Sequence, residues 1–240
     1  VAERAAKADV TEAADTGTTA VAPTDLPVPA VPDATSPAYR GVEGEWVARD
    51  QTIPFIALGQ RTSAMAEEHP EFIGRFIYDK SESLGETLTV IVTNMRKYYL
   101  EAVEFGSAEI PARFSTAADV RAAGMDPENK DEVVSVGDVD ILVRATSESQ
   151  YERCTLVDEA DTGYYPARMT LRSSALSAFS GVVWRDLRGG WLKGDLCAGY
   201  YKLVSTKKLN PKGHYYVPLA RADGALTPAF RAKLRETFGI

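Results

Sequence analysis

Histidine and cysteine are scarce in this chain, with two of each in 240 residues. His69 lies in EEHPEF and His214 in GHYYV, and neither belongs to a cluster with metal-ligand spacing. Cys154 and Cys197 stand alone, which suggests a reducing compartment; two thiols make no zinc knuckle, and nothing favours a disulfide between them. The patterns GxxxxGK[ST], GxGxxG and GxSxG are missing, so phosphate-loop, dinucleotide and nucleophile-elbow chemistry have no footing. Asp138 and Asp140 sit two apart on a candidate strand and so share a face. A Mg²⁺-dependent nuclease could use such a pair, but a turn-to-strand boundary explains it better. The expectation is a non-catalytic protein without cofactor or metal. No apolar run approaches 18 residues, so no membrane span is expected. The opening VAERAAKADV has no apolar signal-peptide core, which points to the cytoplasm.

Charge is plentiful but unevenly placed. The whole chain is net −7, yet positions 161–216 hold nine Lys and Arg against three Asp, net +6. Those cations are Arg168, Arg172, Arg185, Arg188, Lys193, Lys202, Lys207, Lys208 and Lys212. Interleaved with them stand Tyr164, Tyr165, Trp184, Trp191, Tyr200, Tyr201, Tyr215 and Tyr216. Cations that neutralise phosphates and rings on which bases stack are the two ingredients of single-strand binding. The bland alternative is a solvated charged face over rings that belong to the core. Positions 1–45 are opposite in sign, with three basic and eight acidic residues, and five prolines lie between Ala22 and Pro37. This Ala/Pro/Thr-rich composition buries too little surface to offset ordering entropy, so it reads as a flexible acidic arm before a single domain over 46–240.

In that domain the patterns are mostly those of strands. IPFIAL and GRFIYD read as short strands, and Thr87–Thr93 is a β-branched run. The polar Asn94-Met95-Arg96-Lys97 that follows is either a hairpin turn or a bulge inside one long strand. Positions 115–123 suit a short helix, MDPENKDEVVSVGD a polar connection, and DILVRA and YYPARMTLR two strands. Leu176, Phe179, Val183 and Leu187 recur at helical spacing, with Ser173 or Ser174 as cap and Trp184 beside the stripe, more in the core than out of it. LCAGYYKLVST and HYYVPLA flank KKLNPKG as a hairpin with a lysine-rich tip, and TPAFRAKLRETF closes as a helix capped by Thr227 with Pro228 at its first position. The fold class expected is mainly β to α+β, and an antiparallel barrel of the oligonucleotide-binding type, elaborated with short helices and a C-terminal helix, is compatible.

Alternation sorts the faces. Tyr164, Pro166, Arg168, Thr170 and Arg172 share one side of their strand and Tyr165, Ala167, Met169 and Leu171 the other, apolar side. Tyr200 and Lys202 likewise oppose Tyr201 and Leu203. Arg96, Lys97, Tyr98 and Tyr99 form a second basic-aromatic cluster, of which Tyr98 or Tyr99 must point inward.

The order IPFIALGQ, GETLTVIVTNMRKYYLEA, ARMTLRSSALSAF and GYYKLVSTKKLNPKGHYYVPL resembles a loose family of bacteriophage single-stranded DNA-binding proteins with oligonucleotide-binding barrels. That resemblance implies sequence-tolerant coating of transient single strands in phage replication or recombination, in the host cytoplasm. The contacts expected are Arg96, Lys97, Tyr98, Tyr164, Arg168, Arg172, Arg185, Arg188, Trp191, Lys193, Tyr200, Lys202, Lys207, Lys208, Lys212 and Tyr215. Single-stranded RNA and a homo-oligomer stay open. The family commonly ends in an acidic tail, whereas this chain ends in AFRAKLRETFGI. The acidic arm at the other end is therefore a candidate site for replication or recombination proteins, with a mere solubilising linker as the alternative. The alternative reading is a virion structural or assembly protein whose arm reaches a neighbouring subunit.

Overall fold

The computed structural model of the chain describes residues 53–104, 109–190, 192–211 and 213–239, all in one compact unit. The acidic arm over 1–45 and the contacts expected of Trp191 and Lys212 lie outside the described residues. In chain order the elements are β1 (Phe55–Leu58), α1 (Ala64–Glu68), β2 (Phe76–Tyr78), β3 (Glu82–Gly85), β4 (Thr87–Glu101), β5 (Arg113–Phe114), α2 (Ala117–Ala122) and β6 (Val133–Arg144). There follow α3 (Glu148–Tyr151), β7 (Leu156–Val157), β8 (Gly163–Arg172), α4 (Ser173–Gly189), β9 (Gly199–Asn210), β10 (Gly213–Ala225) and α5 (Pro228–Phe238).

The β-branched run at Thr87 and the polar stretch behind it are one strand, β4, with a bulge between Val92 and Asn94. Its length gives β6 a partner along its whole extent. That is why Val133–Asp138, which reads as a polar connection, is strand: Val133, Val134 and Val136 pair with Glu101, Leu100 and Tyr98. Strands run in the order β10-β9-β4-β6-β8-β1-β2-β3, with β5 beside β4 and β7 beside β8. All pairs are antiparallel except β1 with β8, so the sheet is mixed. It curls into a half-barrel, and the fold is mainly β with few helices.

Each face of the sheet carries one of the two long helices. Val90, Val92, Ile141, Val143, Tyr165, Ala167, Met169, Tyr201 and Leu203 pack in one cluster with Leu176, Phe179 and Val183 of α4. Side chains that alternate with these, Ile91, Leu142 and Tyr164, pack instead with Phe230 and Leu234 of α5. We call the two sides the α4 face and the α5 face. Gly137 in β6 lets α4 come close, since a Cβ there would stand 2.4 Å from Leu176 Cδ1.

Two details of α4 differ from its sequence reading. Arg172 is the N-cap residue and no side chain caps the helix; Ser173, at φ 45°, and Ser174 already belong to the first turn. Trp184 is 50% exposed rather than core. It follows Val183, which completes the buried stripe, and so lies about 100° further round the helix.

The curl is fastened at one side by a single amide. Gln60 Nε2 donates to the Tyr216 carbonyl and Gln60 Oε1 accepts from the Tyr216 N–H, both at 2.9 Å, so a side chain takes the place of a neighbouring strand. The Tyr216 ring lies over Gly74, whose φ of +77° and missing Cβ make room for it.

Candidate nucleic-acid interface

The β4 bulge decides which basic and aromatic side chains meet. Ile91 faces α5, and the extra residue shifts the alternation so that Asn94, Arg96 and Tyr98 return to that same face. Three cross-strand rows result beyond the cluster under α5. The first joins Asn94, Asp140, Arg168 and Phe55; the second Arg96, Asp138 and Thr170; the third Tyr98, Val136 and Arg172. Arg113 on β5 adds a fourth guanidinium from the flank, 3.8 Å from the centre of the Tyr98 ring.

Two carboxylates hold this surface in place. Asp140 accepts from Arg168 Nε at 2.6 Å through Oδ1, and from Asn94 at 3.2 Å and Arg96 at 3.5 Å through Oδ2. Asp138 Oδ1 accepts from Thr170 at 2.8 Å and from the Tyr98 hydroxyl at 3.4 Å, while Arg113 stands 4.0 Å from Oδ2. The aspartate side chains are only 13% and 16% exposed, against 55% for Arg96 and 61% for Arg113. A ligand therefore meets guanidinium first, and four arginines outnumber the two acids on these rows. The hydrogen bond to Asp140 pushes the Arg168 guanidinium further up against the cost of burial, so it stays charged. Burial and then the nearby Asp138 charge push the Tyr98 phenol up, so it stays neutral. Among the described residues no group of three His, Cys, Asp or Glu could hold a metal ion.

The other expected contacts separate into three places. Lys97 alternates onto the α4 face, away from Arg96 and Tyr98, with its ammonium 4.8 Å from the centre of the Tyr99 ring. Arg185 and Arg188 are exposed on α4; Arg185 pairs with the buried Asp186 at 3.1 Å, Arg188 lies 5.6 Å from the Trp184 ring, and Lys193 is exposed just beyond the helix. On the hairpin Lys202, Lys207 and Lys208 are exposed, and Tyr215, half-buried, stands opposite Lys208.

Tyr164 is a correction. It faces outward from β8 as its alternation requires, but α5 covers it and leaves it 2% exposed. Its ring stacks on Tyr200 at 6.1 Å and tilts against Phe230 at 5.2 Å, and its hydroxyl donates to Asp158 at 3.1 Å. Burial first, then the bond to Tyr200, push its phenol up. It supports the half-buried Tyr200 and offers no face to a base. Arg113 and Trp184 stand outside the contacts expected from the sequence. Arg113 lies far outside the basic stretch in a two-residue strand, and only the tertiary pairing of β5 with β4 brings it to Tyr98.

No protein-family model matches this chain, and neither a curated protein nor a solved structure matches it. Among the described residues no helix is long and apolar enough to cross a membrane.

Proposed function

We propose that the chain binds single-stranded DNA without catalysis and without strong sequence preference, through the arginine-bearing rows of the α5 face. One observation carries the reading: Arg96, Arg113, Arg168 and Arg172 converge with Tyr98 on one face of a curled sheet. Guanidinium groups pair with successive phosphates, and a base stacks on or beside the Tyr98 ring. A β surface of this kind reads any base, because every base offers a π-face, while phosphate contacts carry no sequence information. The oligonucleotide-binding barrel is the finer reading of the half-barrel, and phage replication or recombination is the setting that the sequence resemblance favours.

Photo-crosslinking tests the placement. A single strand carrying 4-thiothymidine is irradiated with the full chain and the modified peptides are mapped. Crosslinks in β4, β5 or β8 are expected; crosslinks confined to other segments would refute this site. An equal amount of single-stranded RNA as competitor decides between the two nucleic acids.

A further inference from the structure

Resting on the single-strand reading, we infer that the α4 face holds a second, separate subsite that takes one nucleotide unit, with its base at Trp184 and its phosphate near Lys97 and Lys130. Two adjoining cavities make it. The smaller, of ≈ 130 Å³, has an apolar floor of Met95, Val139 and Leu176, with Ser177, Ser180 and Trp184 along α4. A cavity of about 150 Å³ takes a benzene ring, so this space is of the size of one planar ring. The larger, of ≈ 640 Å³, shares Lys97, Ser135 and Ser177 with it and adds Tyr99, Lys130 and the hydroxyl-bearing Ser173 and Ser174.

The exposure of Trp184 is what the fold leaves unexplained. A tryptophan half open to water on a helix whose stripe is already filled by Leu176, Phe179 and Val183 adds little to packing. At the edge of a ring-sized slot, with Arg188 5.6 Å from its centre, it is placed to stack on a flat heteroaromatic group. Serine hydroxyls beside an apolar floor suit the edge of a base. Two lysines against the single Glu128 suit a phosphate attached to that base. The ligand is a nucleotide, either free or as one unit of a strand.

The test is ¹⁹F NMR of the full chain labelled with 5-fluorotryptophan, with the Trp184 resonance assigned from Trp184→Phe. Thymidine 5′-monophosphate and a short oligothymidylate are titrated separately, and strand binding is followed in parallel by anisotropy. Saturable movement of the Trp184 resonance with either probe supports the subsite; movement with the oligothymidylate alone restricts it to strand units. Movement with the monophosphate and no strand binding keeps the subsite but overturns the proposed function. Strand binding with the Trp184 resonance unmoved overturns the subsite and leaves the proposed function standing, and no response of either kind overturns both. Trp184→Ala should weaken strand binding roughly fivefold or more without altering its salt dependence. Ser180→Leu, which fills the slot while keeping the indole, should abolish the response to the monophosphate; an unchanged response would contradict the assignment.

Discussion

Arg113 lies with its guanidinium 3.8 Å from the centre of the Tyr98 ring, although the two residues are on different strands and fifteen positions apart. The contact holds the ring against a cation from the neighbouring strand. It also gives Tyr98 two separable roles. Its hydroxyl reaches Asp138, and in the proposed function its ring stacks on a base.

Tyr98→Ala should therefore weaken single-strand binding by about 1–3 kcal/mol, the contribution of one stacked base. Tyr98→Phe keeps the ring and should retain most of the affinity. Equilibrium titration of both variants decides it, and equal losses would show that the hydroxyl matters more than the ring.

Arg168 and Arg172 differ in what else depends on them. Arg172 has no carboxylate partner among the described residues, so Arg172→Gln should leave the urea midpoint unchanged and make the log–log salt slope shallower by about 0.7. Arg168→Gln removes the 2.6 Å bond to Asp140, and should cost about 1.5–3 kcal/mol of stability as well as affinity. Urea unfolding of the two variants side by side separates the effects.

Gln60 is the fastener between the β1 side of the sheet and β10. Gln60→Ala should cost about 1–3 kcal/mol by leaving the partly buried Tyr216 amide and carbonyl without that partner. The Tyr216 amide should then exchange with solvent far faster, while amides of the β4–β6 ladder keep their protection.

Asp158 links stability to pH. Burial works to raise its pKa, but the N–H groups of Thr162 and Ala160 and the Tyr164 hydroxyl prevail and lower it. A carboxyl depressed in the folded state stabilises at pH values above its unfolded pKa of about 4, and that contribution fades as pH falls through the folded value. Between pH 7 and pH 3 the wild type should lose more stability than Asp158→Asn, which lacks the charge throughout.

The alternation of β8 was legible because period two and polarity agree along all of it: Tyr165, Ala167, Met169 and Leu171 are buried where the pattern puts them. The hairpin was legible from its turn residues, although Lys207 and Lys208 prolong β9 instead of forming the tip, and α5 from its cap, where Thr227 does accept from the Phe230 N–H. The β4 bulge was not fixed by local signals. One extra residue at Thr93 reassigns every side chain after it, so the sequence could put Arg96 and Tyr98 on one face but could not say which face. Tyr164 shows the same limit from another side. Its outward direction follows from the strand, but its cover comes from a helix more than sixty residues later. Arg113 joins the site only through a tertiary pairing, which no spacing announces.

The most direct test of single-strand binding is fluorescence anisotropy of a labelled single strand titrated with the full chain at several salt concentrations, with matched duplex as competitor. The account predicts preference for the single strand and a log–log slope of about −0.7 for each phosphate neutralised. Absence of binding at low salt, or equal affinity for duplex, would contradict it.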